Sequence, residues 1–230
     1  MIYTKETIDF LKDLPEHTKK GRWPKPFLKR YQQFLRDPTR DFAAAIQDQF
    51  VRKLSREVRY GICHPTNKGH GYKDHYVFAF FDPAAGKWYK SVQLFFYLDS
   101  GGQSWSYGFS VWPDVSKRHL AKFNAALEKS AAPMSEYFRR APTATRVRID
   151  CDGGELDLLP ADFAARLAPT RAGRRRPLGA CYGITAKREY RLRSLTSPAH
   201  AGRLVEEVGE FFAWAWPLFE AGRTGRWSAR

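Results

Sequence analysis

The chain is expected to fold as an α+β domain: a central, mostly antiparallel sheet with N-terminal, middle and C-terminal helices packed around it. Three observations predict this. Between about residues 75 and 112, HYVFAFF, KWYKSVQLFFYL and SWSYGFSVW follow one another as strands, and the Gly-Gly turn between the last two favours an antiparallel meander. The flanking segments carry apolar residues at helical spacing instead. With 230 residues, 43% of them hydrophobic and seven of them Trp, the chain can build the core of one domain. That domain is expected over residues 1–222, with 223–230 as a flexible tail.

Taken in order, residues 4–14 read as a helix capped by Thr4, with Ile8 and Leu11 inward. From His17 to Arg36 there are seven Lys/Arg and no acid, interleaved with Trp23, Phe27, Tyr31 and Phe34. The aromatics have helical spacing and are assigned to the interior. Asp37-Pro38 opens a longer helix on which Phe42, Ile46, Phe50, Leu54 and Val58 recur every fourth residue as a core stripe. Gly61 to Asp74 is a Gly- and Pro-containing loop with Cys63, His64 and His70, followed by His75. Its spacing matches no metal-site pattern, so no metal and no cofactor is expected. Phosphate-loop and dinucleotide-binding glycine patterns are absent.

On the second strand, Trp88, Val92, Leu94, Phe96 and Leu98 form one face, and Tyr89, Ser91, Gln93, Phe95 and Tyr97 the other. On the third, Trp105, Tyr107, Phe109 and Val111 oppose a row of Ser104, Ser106, Gly108 and Ser110. That small row has two readings. It is the floor of a groove flanked by Phe95 and Tyr97, or it is the space into which a helix of the same chain packs.

Beyond the meander, helices are expected at about 116–129 and 134–139, then a hairpin of TRVRIDC and ELDLL, and a turn or two of helix from Pro160 to Leu167. Arg166 to Arg193 carries nine Lys/Arg and one acid, and includes the run Arg171, Arg174, Arg175, Arg176. EYRLRSL reads as a strand with Arg191 and Arg193 on one face. A final helix is expected over about 198–220, with Val205, Val208, Phe211, Phe212, Ala215 and Phe219 buried.

The 39 Lys+Arg against 24 Asp+Glu make a formal charge of +15, which favours polyanionic partners, although an Arg- and Ala-rich composition alone produces the same excess. No apolar run reaches membrane-spanning length and the first residues lack a signal-peptide core, so a cytoplasmic location is expected and no membrane partner. Cys63, Cys151 and Cys181 stand far apart, which suits reduced thiols.

The order of motifs resembles an uncharacterised, mainly bacterial family, the domain of unknown function number 2461. TKETIDFLKDL is similar to its opening helix, Arg22-Trp23 with Tyr31 to its Trp…Tyr spacing, and Gly71-Tyr72-Lys73 to its Pro-Tyr-Lys. FFYLDSGGQSWSYGFSVWPD resembles its hairpin and SLTSPAHAGRLVEEVGEFFAWAWPLF its closing helix. The charge cluster that usually precedes Pro-Tyr-Lys is replaced here by HPTNKGH, leaving Lys68 and Lys73. The resemblance implies a fold and no particular reaction.

The residues support three functions. The first is a non-catalytic nucleic-acid-binding module, DNA or RNA, using Lys19, Lys20, Arg22, Lys25, Lys68, Lys73, Arg171, Arg174, Arg175, Arg176, Arg191 and Arg193, with Phe95, Tyr97, Ser106, Gly108 and Ser110 as a base-stacking groove. The second is a protein-interaction domain of a larger, defence-related assembly. The third is an enzyme of unknown reaction drawing on His64, His70, His75, Asp74 or Asp99, for which no catalytic motif is present.

Overall fold

The computed structural model describes residues 2–18, 23–63, 66–67, 71–72, 75–101, 103–111, 117–151, 154–167 and 181–228. It is an α+β fold whose described strands form one seven-stranded antiparallel sheet and a two-stranded hairpin.

The N-terminal third is helical: α1 (Lys5–Thr18), α2 (Lys25–Tyr31), α3 (Asp37–Ile46) and the single turn α4 (Arg52–Leu54). Wide π-type turns at Gln32–Arg36 and Gln47–Val51 link the last three. Each wide turn inserts a residue into the helical repeat and so rotates the next turn of helix about its axis. The every-fourth-residue stripe therefore holds for Phe42 and Ile46 and then shifts: Val51 is buried, while Leu54 is turned outward and 41% exposed. Phe50 leaves the stripe to fill the space above Gly209, where a Cβ would come within 2.2 Å of its ring.

Strands β1 (Arg59–Ile62), β2 (Thr66–Asn67) and β3 (Gly71–Tyr72) lead into the meander β4 (His75–Phe81), β5 (Gln93–Asp99) and β6 (Ser104–Val111). Helices α5 (Lys117–Lys129) and α6 (Ala131–Arg139) come next, then the hairpin β7 (Arg146–Cys151) and β8 (Gly154–Leu158), α7 (Pro160–Leu167) and the long strand β9 (Cys181–Arg191). The chain closes with α8 (Pro198–Ala201) and α9 (Leu204–Thr224). The sheet order is β1-β4-β5-β6-β9-β7-β8, so β9 enters between the meander and the β7–β8 hairpin and joins them.

The expected meander is present, but its second strand is shorter than KWYKSVQLFFYL suggests. Trp88–Lys90 forms a 3-10 turn, and the strand starts at Gln93. The connection folds tightly because the Asp82 side chain accepts a 3.0 Å hydrogen bond from the Ala84 backbone N–H and Gly86 takes φ 75°. Trp88 thereby crosses to the sheet face opposite Leu94, Phe96 and Leu98. Gly61 makes room for it, since a Cβ there would lie 2.7 Å from the indole. Arg193 is likewise not in register with Arg191: β9 ends at Arg191, and Leu192–Thr196 turns as a 3-10 segment. The last helix is broken at Gly202-Arg203, and α9 reaches two residues into the expected tail. Trp227, beyond its αL cap at Gly225, packs edge-on against Tyr137 at 5.1 Å.

The helices gather on the apolar face of the sheet. Phe42 meets Phe78 at 5.4 Å, Phe212 meets Phe80 at 5.9 Å, Phe211 meets Tyr107 at 5.3 Å and Phe123 meets Phe109 at 5.6 Å. On that face Phe78, Phe80, Phe96, Trp105, Tyr107 and Phe109 are completely buried in edge-to-face and tilted ring pairs. Among the described residues no helix is long and apolar enough to cross a membrane.

Candidate functional site: a groove on the sheet face away from the described helices

Strand alternation sends every second residue of the sheet to the side away from these helices. Among the described residues no helix packs there, and Ser106 and Ser110 of the small row are nonetheless buried, at 4% exposure each. A groove of about 330 Å³ occupies that side. The antiparallel register sorts its floor into rows running across the strands. One row is polar: Gln93 stands opposite Ser110, Ser110 opposite Thr185, and Thr185 opposite Arg148. The next holds Phe95, Gly108 and Lys187, and the third Val77, Tyr97, Ser106 and Glu189.

One wall is aromatic. Trp88 and Tyr89 stand over the β1 side, held by a 3.0 Å hydrogen bond from the Gln93 side-chain amide to the Trp88 carbonyl. Tyr97 stacks with His75 at 5.3 Å and 23° between ring planes. Tyr89 is 43% exposed, a large ring left at the rim. The other wall is cationic, from Lys187 and Arg148, but each cation already has an acid. Lys187 Nζ lies 2.7 Å from Glu189 Oε2, Arg148 pairs with Glu155, and Arg146 Nε lies 3.1 Å from Asp157 Oδ1. Glu189 is held below the ordinary carboxylate range: partial burial pushes it up, and the Lys187 ammonium and the Ser104 hydroxyl outweigh that. It is therefore an anion at neutral pH and competes for Lys187.

At the floor, Thr185 is 4% exposed, and its Oγ1 is buried with no hydrogen-bond partner while lining the groove. A buried hydroxyl without a partner is costly, and native structures hold few of them. Gly108 has another explanation than room for a ligand. A Cβ there would fall 2.3 Å from the Ala186 carbonyl oxygen of the paired strand β9.

The five expected groove residues, Phe95, Tyr97, Ser106, Gly108 and Ser110, do come together on this face. Of the expected cations, Arg191 is exposed on the same face at the end of β9, opposite Ser104, and Arg193 comes after it in the 3-10 turn. Lys25 is exposed at the start of α2, in the helical layer. Lys19, Lys20, Arg22, Lys68, Lys73, Arg171, Arg174, Arg175 and Arg176 lie outside the described residues, as do His64, His70 and Asp74. Among the described residues no three His, Cys, Asp or Glu come together as metal ligands, and Cys63 and Cys151 are buried, the Cys63 Sγ accepting from the Val77 backbone N–H at 3.2 Å. The sequence reading missed Trp88 as a wall and Thr185, Lys187 and Arg148 as floor and rim. Their signal was present: ITAKREYR and TRVRID alternate, and Thr185, Lys187, Arg146 and Arg148 fall on the polar side of that alternation.

A second polar cluster ties α9 to the opposite face. Glu207 Oε1 accepts from Tyr107 Oη at 2.6 Å and Tyr190 Oη at 2.9 Å, and Oε2 lies 2.8 Å from His200 Nδ1. Arg188 Nη1 donates to Tyr107 Oη at 3.2 Å and stands 3.8 Å from Glu207. Burial alone would raise the Glu207 pKa, but the hydrogen bonds from Tyr107, His200 and Tyr190 hold it below its ordinary value.

Set against known proteins, the chain matches no family model and no curated protein sequence, so the groove is interpreted from its own chemistry.

Proposed function

We propose that this protein binds single-stranded nucleic acid along the sheet face that lies away from the described helices, without chemistry. The observation that carries this reading is a groove with stacking rings on one side, hydroxyls and a glycine on the floor, and Lys187 and Arg148 on the other side. Unpaired bases offer π-faces to rings on a sheet, and their phosphates then fall within reach of flanking cations. The formal +15 adds long-range attraction of a polyanion.

Titration of single-stranded DNA and RNA oligonucleotides across a salt series tests it. Saturable binding is expected, weakening with salt by about 0.7 log units per log unit of salt for each phosphate neutralised. Tyr97→Ala should cost about 1–3 kcal/mol of affinity and Tyr97→Phe little, because the ring rather than the hydroxyl stacks. No binding at low salt, or binding indifferent to Tyr97, overturns the reading.

A second prediction concerns charge. Since Glu189 neutralises Lys187, Glu189→Gln is expected to strengthen oligonucleotide binding several-fold and to steepen the salt dependence by about 0.7. Unchanged affinity would mean that phosphate does not reach Lys187.

A further inference from the structure

The groove is not uniform along its length, and its polar row differs from a generic stacking surface. Gln93, Ser110, Thr185 and Arg148 succeed one another across four adjacent strands, β5, β6, β9 and β7. Neighbouring strands are about 4.8 Å apart, so the row sets an amide, two hydroxyls and a guanidinium along about 14 Å. Beside it, Phe95 and Gly108 form a flat step, with no side chain rising from Gly108. The volume of about 330 Å³ stands at the small end of ligand pockets, about 300–1,000 Å³, which gives room for one ring system with its sugar at a time.

Thr185 supplies the independent observation. Thr185 lines the groove, and its hydroxyl is buried and has no protein partner, so it has hydrogen-bonding capacity that the fold leaves unused. A site built to hydrogen-bond one ligand discriminates strongly against analogues lacking the matching group, because its buried polar atoms are otherwise left unpaired.

We infer that the groove contains a pocket for a single nucleoside 5′-monophosphate unit, whose base edge is read by the Thr185 hydroxyl with Ser110 and Gln93 and whose phosphate is taken by Arg148 and Lys187. The base lies on the step of Phe95 and Gly108 under the Trp88 wall. Arg148 and Lys187 exchange Glu155 and Glu189 for the phosphate, which accounts for cations at a rim that is charge-balanced when empty. This inference rests on the nucleic-acid reading above and deepens it: the strand is then held at one preferred base rather than stacked indifferently.

The test is calorimetric titration of the full chain with the ribo- and deoxyribonucleoside 5′-monophosphates of each base, with the corresponding nucleosides, and with a single-stranded oligonucleotide. One base is expected to bind best, and removal of its phosphate to weaken binding at least tenfold. Thr185→Val, which keeps the branched shape, is expected to lower affinity for that monophosphate about tenfold, the scale of one hydrogen bond, and to flatten the preference among bases. The same substitution should leave the melting temperature equal or higher, because it removes a buried hydroxyl that has no protein partner. Oligonucleotide binding with no monophosphate binding overturns this inference and leaves the nucleic-acid reading standing. Monophosphate binding without oligonucleotide binding supports the pocket and overturns strand binding, and binding of neither overturns both. A Thr185→Val protein that melts earlier, or binds the preferred monophosphate unchanged, removes Thr185 from the role assigned to it.

Discussion

Replacing Glu207 by Leu is expected to lower the unfolding free energy by about 3–5 kcal/mol, one of the largest effects of any single substitution in this chain. Glu207 is 17% exposed at the start of α9 and serves Tyr107, Tyr190 and His200 at once, with Arg188 at 3.8 Å. Removing it takes the shared acceptor from the buried Tyr107 and half-buried Tyr190 hydroxyls and the carboxylate from beside the Arg188 guanidinium, on the helix-covered face. Gln retains an acceptor for the tyrosines and should cost less, about 1–3 kcal/mol. Chemical denaturation of the three proteins orders them, and a loss under about 1 kcal/mol for Leu, the scale of a single neutral hydrogen bond, would mean the cluster is not what anchors α9. The lowered Glu207 pKa also sets a pH dependence. Its stabilisation is fully present above the ordinary glutamate value of 4.5 and is lost as pH falls through the lower native value. Other carboxylates, Glu189 among them, titrate in that range too. The Leu variant should therefore show a shallower fall in stability below pH 4.5 than the parent, and not a flat one.

Sequence pattern and structure agree where period alone decides an element. The meander is legible because β4, β5 and β6 are each long enough to show alternation or a continuous apolar run, and α9 because Val208, Phe211, Phe212, Ala215 and Phe219 repeat at helical spacing. Agreement fails where one residue changes the phase. The wide turn at Gln47–Val51 exchanges Leu54 for Val51 in the core, and no side chain in QDQFV announces it. The turn at Trp88–Lys90 moves Trp88 from the core face to the groove wall, though its parity with Leu94 and Phe96 is unchanged in the sequence. The groove was half legible for a related reason. Phe95, Tyr97 and the Ser/Gly row are local to the meander, whereas Thr185, Lys187 and Arg148 reach it only because β9 pairs with both β6 and β7, about 80 residues after β6 in the first case. Pairings of that sequence separation leave no periodicity to read.

Gly108→Ala is expected to destabilise by about 3 kcal/mol, at the upper end of ordinary overpacking, whereas Ser110→Val two residues away is expected to change stability by less than about 1 kcal/mol. Both enlarge the same row by a comparable step, so the contrast isolates cause. At Gly108 the new methyl meets the Ala186 carbonyl oxygen at 2.3 Å and the Lys187 Cα at 2.8 Å, backbone atoms of a paired strand that cannot swing aside as a side chain would. The β6–β9 pairing joins the meander to the β7–β8 hairpin, so prying it open strains the whole sheet. At Ser110 the larger side chain enters the groove between Gln93 and Thr185, where there is volume to receive it. Binding should separate the two in the opposite sense. Ser110→Val fills the polar row and is expected to abolish monophosphate binding in a protein that melts normally. Gly108→Ala is expected to lose binding only together with stability. If Gly108→Ala proves as stable as the parent, the close approach of β6 and β9 is not needed, and Gly108 becomes a ligand-facing glycine after all. If Ser110→Val binds as the parent does, the row between Gln93 and Thr185 is not where a base sits. The small residues on β6 thus have two separable jobs: Gly108 lets two strands meet, and Ser110 leaves room in the groove beside them.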